Sequence, residues 1–505
     1  MGHEYNFRVR SNTTWEITGA TTELPQLFMN TNGQDFTSVL NTTGGNDKKD
    51  GNQFTVQVET PALNSSLQLY GIGRAGRKMK LTFTDDAGIA PPLTKTFIAV
   101  TQDPNSYRVR NGGGNYTGGN LPGSYGKITF PIRKLFWAWE ADLETELNPA
   151  TSGPLNLSAE LIWQTSAGLI QSGAFEFKDE GGQNDWRDYC VSLWSDNRQN
   201  TRDLLGNALI AIKNGNEILW SFHIWVTDYF PDNTPAMGKT FTNTAAGINP
   251  APVHMDYNLG ATISYTQFDP HQSVVAEPIV SPAIGGLYYQ FGRKDPIPGP
   301  RQLSTAGTHT LNENNQLSVV NTNNQRVYTT FQTVSEPKNL RNSIQNPTIY
   351  YTGVAGLNDW YTTSISRTDQ NDFLWTDKEG MKGLYDPCPV GWKIGKNSPS
   401  DYANLGDYYS FTPNRGTWAN LTNTNRFYLP STGYLRNPSG SSGTYAELRN
   451  YMTGGYLFDS QIVDGEALGV RDDNEELNIS WLVYRAAARP VRCVQDTHNW
   501  NSKHY

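Results

Sequence analysis

Residues 208–228 read ALIAIKNGNEILWSFHIWVTD, which is two apolar runs separated by Asn214 and Gly215. An Asn-Gly pair between two apolar runs is the strongest short-range signal for a β-hairpin. In the second run, large apolar residues occupy both alternating sets of positions, so both faces of its strand are expected to be covered. His223 lies within this run, where a hydrogen-bonded core residue is the expected role. The stretch therefore predicts a buried hairpin in a mostly β fold.

The composition of the whole chain favours short strands joined by many turns. The 505 residues include 47 Gly and 28 Pro, which punctuate turns and disfavour helices. Aromatic residues reach 12%, which is too many for a disordered chain, and the length indicates about three domains. The formal net charge is -8, so the chain lacks the basic surface that phosphate backbones require. Nucleic acid is not expected as a partner.

Apolar patterns and turn clusters divide the chain into three segments. Residues 4–104 contain runs in which apolar and polar residues alternate, and about 100 residues of this kind predict an immunoglobulin-like sandwich. Residues 105–230 include the hairpin and predict a second β-sandwich, with further strands at 127–132 and 157–165.

The third segment, residues 236–505, follows a linker at 231–235 and is less regular. Its stretch 298–345 is rich in Asn, Thr, Ser and Gln, and we interpret it as an excursion from the domain surface. A short helix is predicted at 398–406. Strands are predicted at 426–430, 479–484 and 490–495.

No run of the sequence approaches the ~18 to 20 apolar residues that span a bilayer. The chain begins MGHEY and enters a strand pattern almost at once. This start fits an exported protein without its targeting segment, and it equally fits a protein that never had one.

Two motifs in the first segment carry a resemblance to a known module. NTTWEI at 12–17 opens the strand pattern, and TFIAVTQ at 96–102 closes it. The pair resembles the BACON-type domain of gut anaerobes of the Bacteroides type. This immunoglobulin-like module often precedes carbohydrate-active or adhesive domains.

Five ordered motifs carry a second resemblance, over residues 250–497. They are DYNLGA at 256–261, GLYYQFGRKDP at 286–296, YDPCPVGW at 385–392, LPSTGY at 429–434 and RPVRCV at 489–494. Together they resemble a FISUMP-type domain, which is similar to the formylglycine-generating-enzyme and C-type-lectin class of fold. The resemblance implies an α+β, C-type-lectin-like third domain.

Such domains occur in exported lipoproteins and fimbria-associated proteins, so the resemblance implies a cell-surface adhesin. We expect location at the cell surface or outer membrane, with membrane attachment only through an N-terminal lipid anchor outside this sequence. The expected function is non-catalytic recognition of a host or dietary glycan, or of a surface or pilus protein, by the third domain. Three alternatives stay open: a carbohydrate-binding component of a glycan-uptake system, a glycoside hydrolase hidden in the third domain, and a structural pilus subunit.

The chain has three cysteines, Cys190, Cys388 and Cys493, and none is in a C-x-x-C pair, which argues against zinc-ribbon and thioredoxin sites. A bridge between Cys388 and Cys493 would fasten the end of the third domain to its middle, as an oxidising compartment allows. Two buried thiols are the alternative. No catalytic residue is predicted, because H-E-x-x-H, G-x-S-x-G and P-loop motifs are missing from the sequence.

Candidate binding residues are aromatic side chains in irregular, Gly- and Asn-rich stretches, where binding residues concentrate. They are Tyr288, Tyr289, Trp360, Tyr361, Tyr408 and Tyr409. No cofactor is required by any motif. The acidic cluster of Asp472, Asp473, Glu475 and Glu476 supplies oxygen ligands that suit calcium, and a solvated acidic loop is the alternative.

Overall fold

A computed structural model confirms that the protein is mainly β. It describes residues 3–11, 14–22, 28–30, 43–44, 47–58, 78–85, 92–98, 103–109, 127–143, 145, 147, 155–170, 175–179, 186–194, 205–231, 240–244, 247, 249–263, 282–299, 308–310, 316–354, 357–364, 369–376, 382–395, 408–412, 416–422, 425–430, 435, 443–445, 451–459, 462–470 and 477–497. None of the helices in these ranges is long and apolar enough to cross a bilayer.

The first segment forms two antiparallel sheets, with strand orders β1-β5-β3 and β4-β2-β6-β7. Their strands are β1 (His3–Ser11), β2 (Trp15–Thr22), β3 (Phe28–Asn30), β4 (Thr43–Gly44), β5 (Asp47–Val58), β6 (Lys78–Asp85) and β7 (Leu93–Ile98). Trp15 and Phe83 are buried, and their rings meet edge to face at 5.6 Å. Two sheets fit the predicted sandwich, and the immunoglobulin-like topology stays a prediction.

The second segment is built on the predicted hairpin. Its elements are β8 (Ser106–Val109), β9 (Lys127–Pro131), α1 (Arg133–Trp137), a π-helical turn (Ala138–Asp142), β10 (Leu157–Gln164), β11 (Glu176–Asp179), a 3-10 turn (Trp186–Asp188), β12 (Tyr189–Trp194), β13 (Gly206–Asn214) and β14 (Glu217–Val226). Strands β13 and β14 pair from Gly206 to Glu217, and Gly215 makes the turn at φ +59°. This positive φ is the conformation that favours glycine at the tight turn. The side chains of β14 from Leu219 to Val226 are buried on both faces, as the alternating pattern predicts.

The third segment consists of many short elements. They are β15 (Thr240–Thr242), β16 (Val253–Met255), α2 (Pro282–Gly285), β17 (Tyr288–Gln290), β18 (Thr308–Thr310), β19 (Val319–Val320), β20 (Arg326–Val327), β21 (Thr330–Thr333), α3 (Leu340–Gln345), β22 (Ile349–Thr352), β23 (Trp392–Ile394), β24 (Tyr408–Thr412), β25 (Gly416–Thr422), β26 (Asn425–Pro430), β27 (Gly443–Tyr445), β28 (Tyr451–Asp459), β29 (Ile462–Val470), β30 (Leu477–Val483), β31 (Ala488–Pro490) and β32 (Cys493–Gln495). The strand predicted at 490–495 is two short strands, and the helix predicted at 398–406 lies outside the described residues. The C-type-lectin-like topology stays a prediction.

The second and third segments share one core. A six-stranded sheet has the order β20-β19-β10-β13-β14-β8, so strands of both segments belong to it. One hydrophobic cluster of buried residues extends from Tyr107 to Cys493. The predicted linker at 231–235 therefore does not separate two cores. The stretch 298–345, interpreted from sequence as a surface excursion, supplies buried residues such as Val319 and Leu340 to this cluster. Polar residues of the stretch can also be buried, because side chains such as Gln316 and Asn339 donate hydrogen bonds to backbone carbonyls.

Candidate functional site

A disulfide joins Cys388 to Cys493, with the sulfur atoms 2.04 Å apart. Beside it, both carboxylate oxygens of Asp386 accept hydrogen bonds. Oδ1 accepts from Lys382 Nζ at 2.6 Å and from the backbone N–H of Cys388 at 2.7 Å, and Oδ2 accepts from the N–H of Ile394 at 2.7 Å. Lys382 Nζ also donates to the carbonyls of Cys388 and Trp392. Burial lowers the pKa of Lys382, and Asp386 opposes that shift. These polar groups hold the chain around the bridge in one arrangement.

A second buried charge cluster joins the hairpin to the third segment. Lys294 Nζ lies 2.5 Å from Ser221 Oγ and 2.5 Å from Asp295 Oδ1, and it stands 4.4 Å above the ring of Trp220. Burial lowers the pKa of Lys294 to about 8, although Asp295 favours the charged form. Ser221 donates its hydroxyl proton to Asp295 Oδ1. A serine beside a lysine can serve as a nucleophile, but Ser221, Lys294 and Asp295 are at most 3% exposed, so we assign the cluster a structural role.

Ser106, His223 and Asn207 form a buried hydrogen-bond relay. His223 Nε2 lies 2.9 Å from Asn207 Oδ1, and His223 Nδ1 lies 2.9 Å from Ser106 Oγ. Asn207 Nδ2 donates to the carbonyl of Gly260, which leaves Oδ1 as an acceptor. We therefore assign the imidazole proton to Nε2, so that Ser106 donates to Nδ1. A serine hydrogen-bonded to a histidine, which in turn contacts an amide, resembles a hydrolase triad. Ser106 is only 0% exposed and His223 only 1% exposed, so a substrate could not reach them. His223 is thus the hydrogen-bonded core residue that its sequence position predicts.

The buried His223 makes the protein less stable in acid. Desolvation lowers its pKa from 6.5 to about 3 in the folded protein. Between pH 6.5 and about pH 3, His223 is therefore protonated in the unfolded chain and neutral in the folded chain. Across that window the free energy of unfolding is expected to fall by about 1.4 kcal/mol per pH unit from this residue. Urea unfolding of the wild type and of His223→Gln at pH 7, 6 and 5 measures the difference in slope. Equal slopes for the two proteins would contradict the assignment.

The structure buries four of the aromatic residues that the sequence analysis selects for binding. Tyr288, Tyr289, Trp360 and Tyr361 are 5%, 0%, 1% and 8% exposed. Trp360 Nε1 donates to the carbonyl of Phe291, and the two tyrosines of β17 pair with β31. They are core residues, and they do not form an exposed platform, because the short strands and turns around them pack inward.

Other predicted positions fall partly or wholly outside the described residues. Tyr408 and Tyr409 belong to β24, whose side chains are not described. The acidic residues Asp472, Asp473, Glu475 and Glu476 lie outside the described ranges. Within the described residues there is no group of three or more His, Cys, Asp and Glu residues that could hold a metal ion.

Among the residues whose side chains are described, three aromatic side chains are exposed. Phe331, Phe373 and Tyr484 are 37%, 36% and 45% exposed. Phe331 lies on β21, whose four residues are all exposed. Tyr484 follows β30 and begins a turn in which the N–H of Ala487 donates to its carbonyl. We call these three residues the aromatic surface.

Buried contacts tie the three residues to the turn 484–487. Arg485, 2% exposed, forms an ion pair with Asp372, the residue before Phe373. The guanidinium also stacks over the ring of Phe291 at 5.0 Å. Tyr350 connects Phe331 to the same turn.

The ring of Phe331 lies 5.4 Å from the ring of Tyr350, and Tyr350 Oη donates to the carbonyl of Ala486 at 2.5 Å. The aromatic surface is therefore supported by groups that are themselves fixed by ion pairs and hydrogen bonds. Partly exposed rings on a fixed support suit the binding of a ligand by its apolar face.

The sequence analysis did not select these residues, although weak local signals exist. Phe331 stands alone between Thr330 and Gln332 in a polar stretch. Tyr484 precedes Arg-Ala-Ala-Ala, and the three alanines are buried at 0 to 1% exposure, which leaves the tyrosine outside. No protein-family model, curated protein or solved structure matches the chain.

Proposed function

We propose that this protein is an exported, non-catalytic adhesin that binds a glycan through the aromatic surface of Phe331, Phe373 and Tyr484. The observation that carries the proposal is that these three rings are exposed on supports that buried contacts fasten to the turn 484–487. Aromatic side chains offer large apolar contact at a low cost in conformational entropy, which favours binding.

Two further observations support the proposal. A disulfide persists in extracytoplasmic compartments, so the Cys388–Cys493 bridge agrees with export. The side chains that could act as a nucleophile or a base are buried and make internal hydrogen bonds. They are Ser106, His223, Ser221 and Lys294. These groups therefore have a structural role, and the exposed rings are the proposed binding residues.

The test is a glycan array probed with the wild type and with Tyr484→Ala. Truncating an aromatic residue that anchors a bound ligand typically removes more than about 1 kcal/mol, so binding is expected to weaken at least about fivefold. The triple variant Phe331→Ala/Phe373→Ala/Tyr484→Ala should lose binding. The three rings are only partly exposed, so unfolding midpoints should fall modestly, and binding is compared at a temperature well below them.

The matched control is Phe177→Ala, which removes a half-buried ring from β11 in the second segment. It should keep glycan binding, whatever its effect on stability. Retention of full binding by the triple variant, or turnover of a bound glycan by the wild type, would overturn the proposal.

A further inference from the structure

The tip of the β13–β14 hairpin contains an Asn-Gly pair, the dipeptide in which asparagine deamidates most readily. Glycine has no side chain to hinder the approach of its amide nitrogen to the asparagine side chain. Gly215 is exposed and Asn214 is half-buried, so solvent reaches the pair. The chain has two other Asn-Gly pairs, which begin at Asn32 and Asn111. The hairpin tip is therefore a place where covalent modification has to be considered.

Deamidation at this pair consists of two steps, and water is the only co-reactant. The Gly215 nitrogen loses its proton and attacks Asn214 Cγ, so that an N–Cγ bond forms, the Cγ–Nδ2 bond breaks and ammonia leaves with that proton. Water then opens the succinimide ring at either of its two carbonyls, which yields aspartate or isoaspartate. The first step requires that the Gly215 N–H can give up its proton and that the Asn214 side chain can turn towards the nitrogen.

The backbone of Asn156 engages both reacting groups. The N–H of Gly215 donates to the carbonyl of Asn156 at 3.1 Å, and the N–H of Asn156 donates to Asn214 Oδ1 at 2.9 Å. The first hydrogen bond keeps the proton of the nucleophile away from solvent bases, and the second fixes the orientation of the side-chain amide. We call this pair of hydrogen bonds the Asn156 clamp. Asn156 directly precedes β10, whose first residue, Leu157, is the register partner of Asn214.

We propose that Asn214 is a deamidation site that the Asn156 clamp keeps closed in the folded protein, and that the site opens when the beginning of β10 separates from β13. Strand ends open locally at a lower free energy than the whole fold does. Near this end of the two strands, the ion pair of Lys213 and Glu160 is exposed, and such pairs resist opening only weakly. The rate of modification thus follows the opening of this strand end.

Modification at Asn214 introduces a charge at a sensitive position. Asn214 is the register partner of Glu217, and like charges directly opposite each other destabilise a strand pair. Glu217 also accepts a hydrogen bond from Gln345 at the end of α3 in the third segment. Isoaspartate additionally inserts one carbon atom into the main chain at this point. The clamp therefore preserves both the hairpin tip and its contact with the third segment.

Peptide mapping by mass spectrometry measures deamidation at Asn214 in the full chain, folded and in concentrated urea. In urea, the pairs at Asn32 and Asn111 serve as internal references for the same dipeptide. A neutral hydrogen bond shifts an opening equilibrium about fivefold, and the clamp contains two, so Asn214 should react about 25-fold more slowly in the folded chain. Hydrogen exchange of the Gly215 amide should be slowed by a similar factor.

A glycine substitution in β10 tests whether the opening is local. Leu157→Gly leaves every reacting group unchanged but weakens the beginning of β10, so it should speed deamidation of the folded protein at least about threefold. The matched control is Phe177→Gly, which also removes a half-buried side chain from a strand. Strand β11 belongs to a different sheet, so this variant should leave the rate at Asn214 unchanged.

Three results would contradict the proposal. The first is an equal rate at Asn214 in the folded and the unfolded chain, and the second is an unprotected Gly215 amide. The third is equal acceleration by Leu157→Gly and Phe177→Gly, because the site would then open through global unfolding and not at the clamp. The comparison of the folded and unfolded wild type needs no substitution, so a poorly folded variant does not prevent a decision.

Discussion

Replacing Cys388 and Cys493 together by serine is expected to lower the free energy of unfolding by about 5 kcal/mol. The bridge closes a loop with a sequence separation of 105, and in the chain-entropy account a loop of about 100 residues contributes about 4.7 kcal/mol at 25 °C. The bridge removes conformations from the unfolded chain, so its loss favours the unfolded state. Both cysteines are 0% exposed, so the buried hydroxyls add to the loss.

Urea unfolding monitored by tryptophan fluorescence measures this effect, with and without dithiothreitol. The reduced wild type should approach the midpoint of the double variant, and the double variant should not respond to the reductant. Cys190→Ala is the matched control, because Cys190 is buried but carries no disulfide. It should lose much less stability and should respond to dithiothreitol as the wild type does. An unchanged midpoint for the fully reduced wild type would refute the prediction.

The hairpin was predictable because its signals are local. Asn214 and Gly215 specify the turn, and the alternating pattern on either side specifies two strands. The structure places these strands at Gly206–Asn214 and Glu217–Val226, within a few residues of the predicted limits. Burial of β14 on both faces also follows from its composition.

The strand pairings of the third segment could not be predicted, because the strands are short and their partners lie far away in the sequence. Strand β17 (Tyr288–Gln290) pairs with β31 (Ala488–Pro490), about 200 residues later. Three-residue strands carry too little alternation to be recognised, and nothing local identifies the partner. The shared core of the second and third segments was missed for the same reason, since the pairing of Gln164 with Val320 crosses the predicted boundary.

Burial of residues around the candidate site also could not be predicted from the local sequence. Tyr288 and Trp360 stand in irregular sequence that is typical of exposed loops, yet long-range packing buries both. Lys294 and Asp295 are adjacent charged residues in GRKDP, a pattern that normally lies at a surface. They are buried because Ser221 and Trp220, from the hairpin, supply a hydrogen bond and a ring face. Such compensation depends on tertiary contacts, which the sequence does not display.

Asp386→Ala is the second substitution from which we expect a large effect. Removing the carboxylate leaves Lys382 buried without its counter-ion, and breaking a buried pair from one side typically costs about 3 to 5 kcal/mol. The backbone N–H groups of Cys388 and Ile394 also lose their acceptor, and each unsatisfied buried donor costs about 1 to 3 kcal/mol. The free energy of unfolding is therefore expected to fall by at least about 4 kcal/mol.

The control for this prediction is the exposed ion pair of Lys213 and Glu160, whose Nζ and Oε2 atoms are 2.7 Å apart. The side chain of Glu160 is 50% exposed, so Glu160→Ala should change stability by about 1 kcal/mol or less. The double variant Lys382→Met/Asp386→Ala should be more stable than Asp386→Ala, because it no longer buries an unpaired cation. If Asp386→Ala lowers the free energy of unfolding no more than Glu160→Ala does, the Asp386 carboxylate does not organise the chain around the disulfide. The buried ion pair would then contribute no more to stability than the exposed one, although the two contact distances are nearly equal.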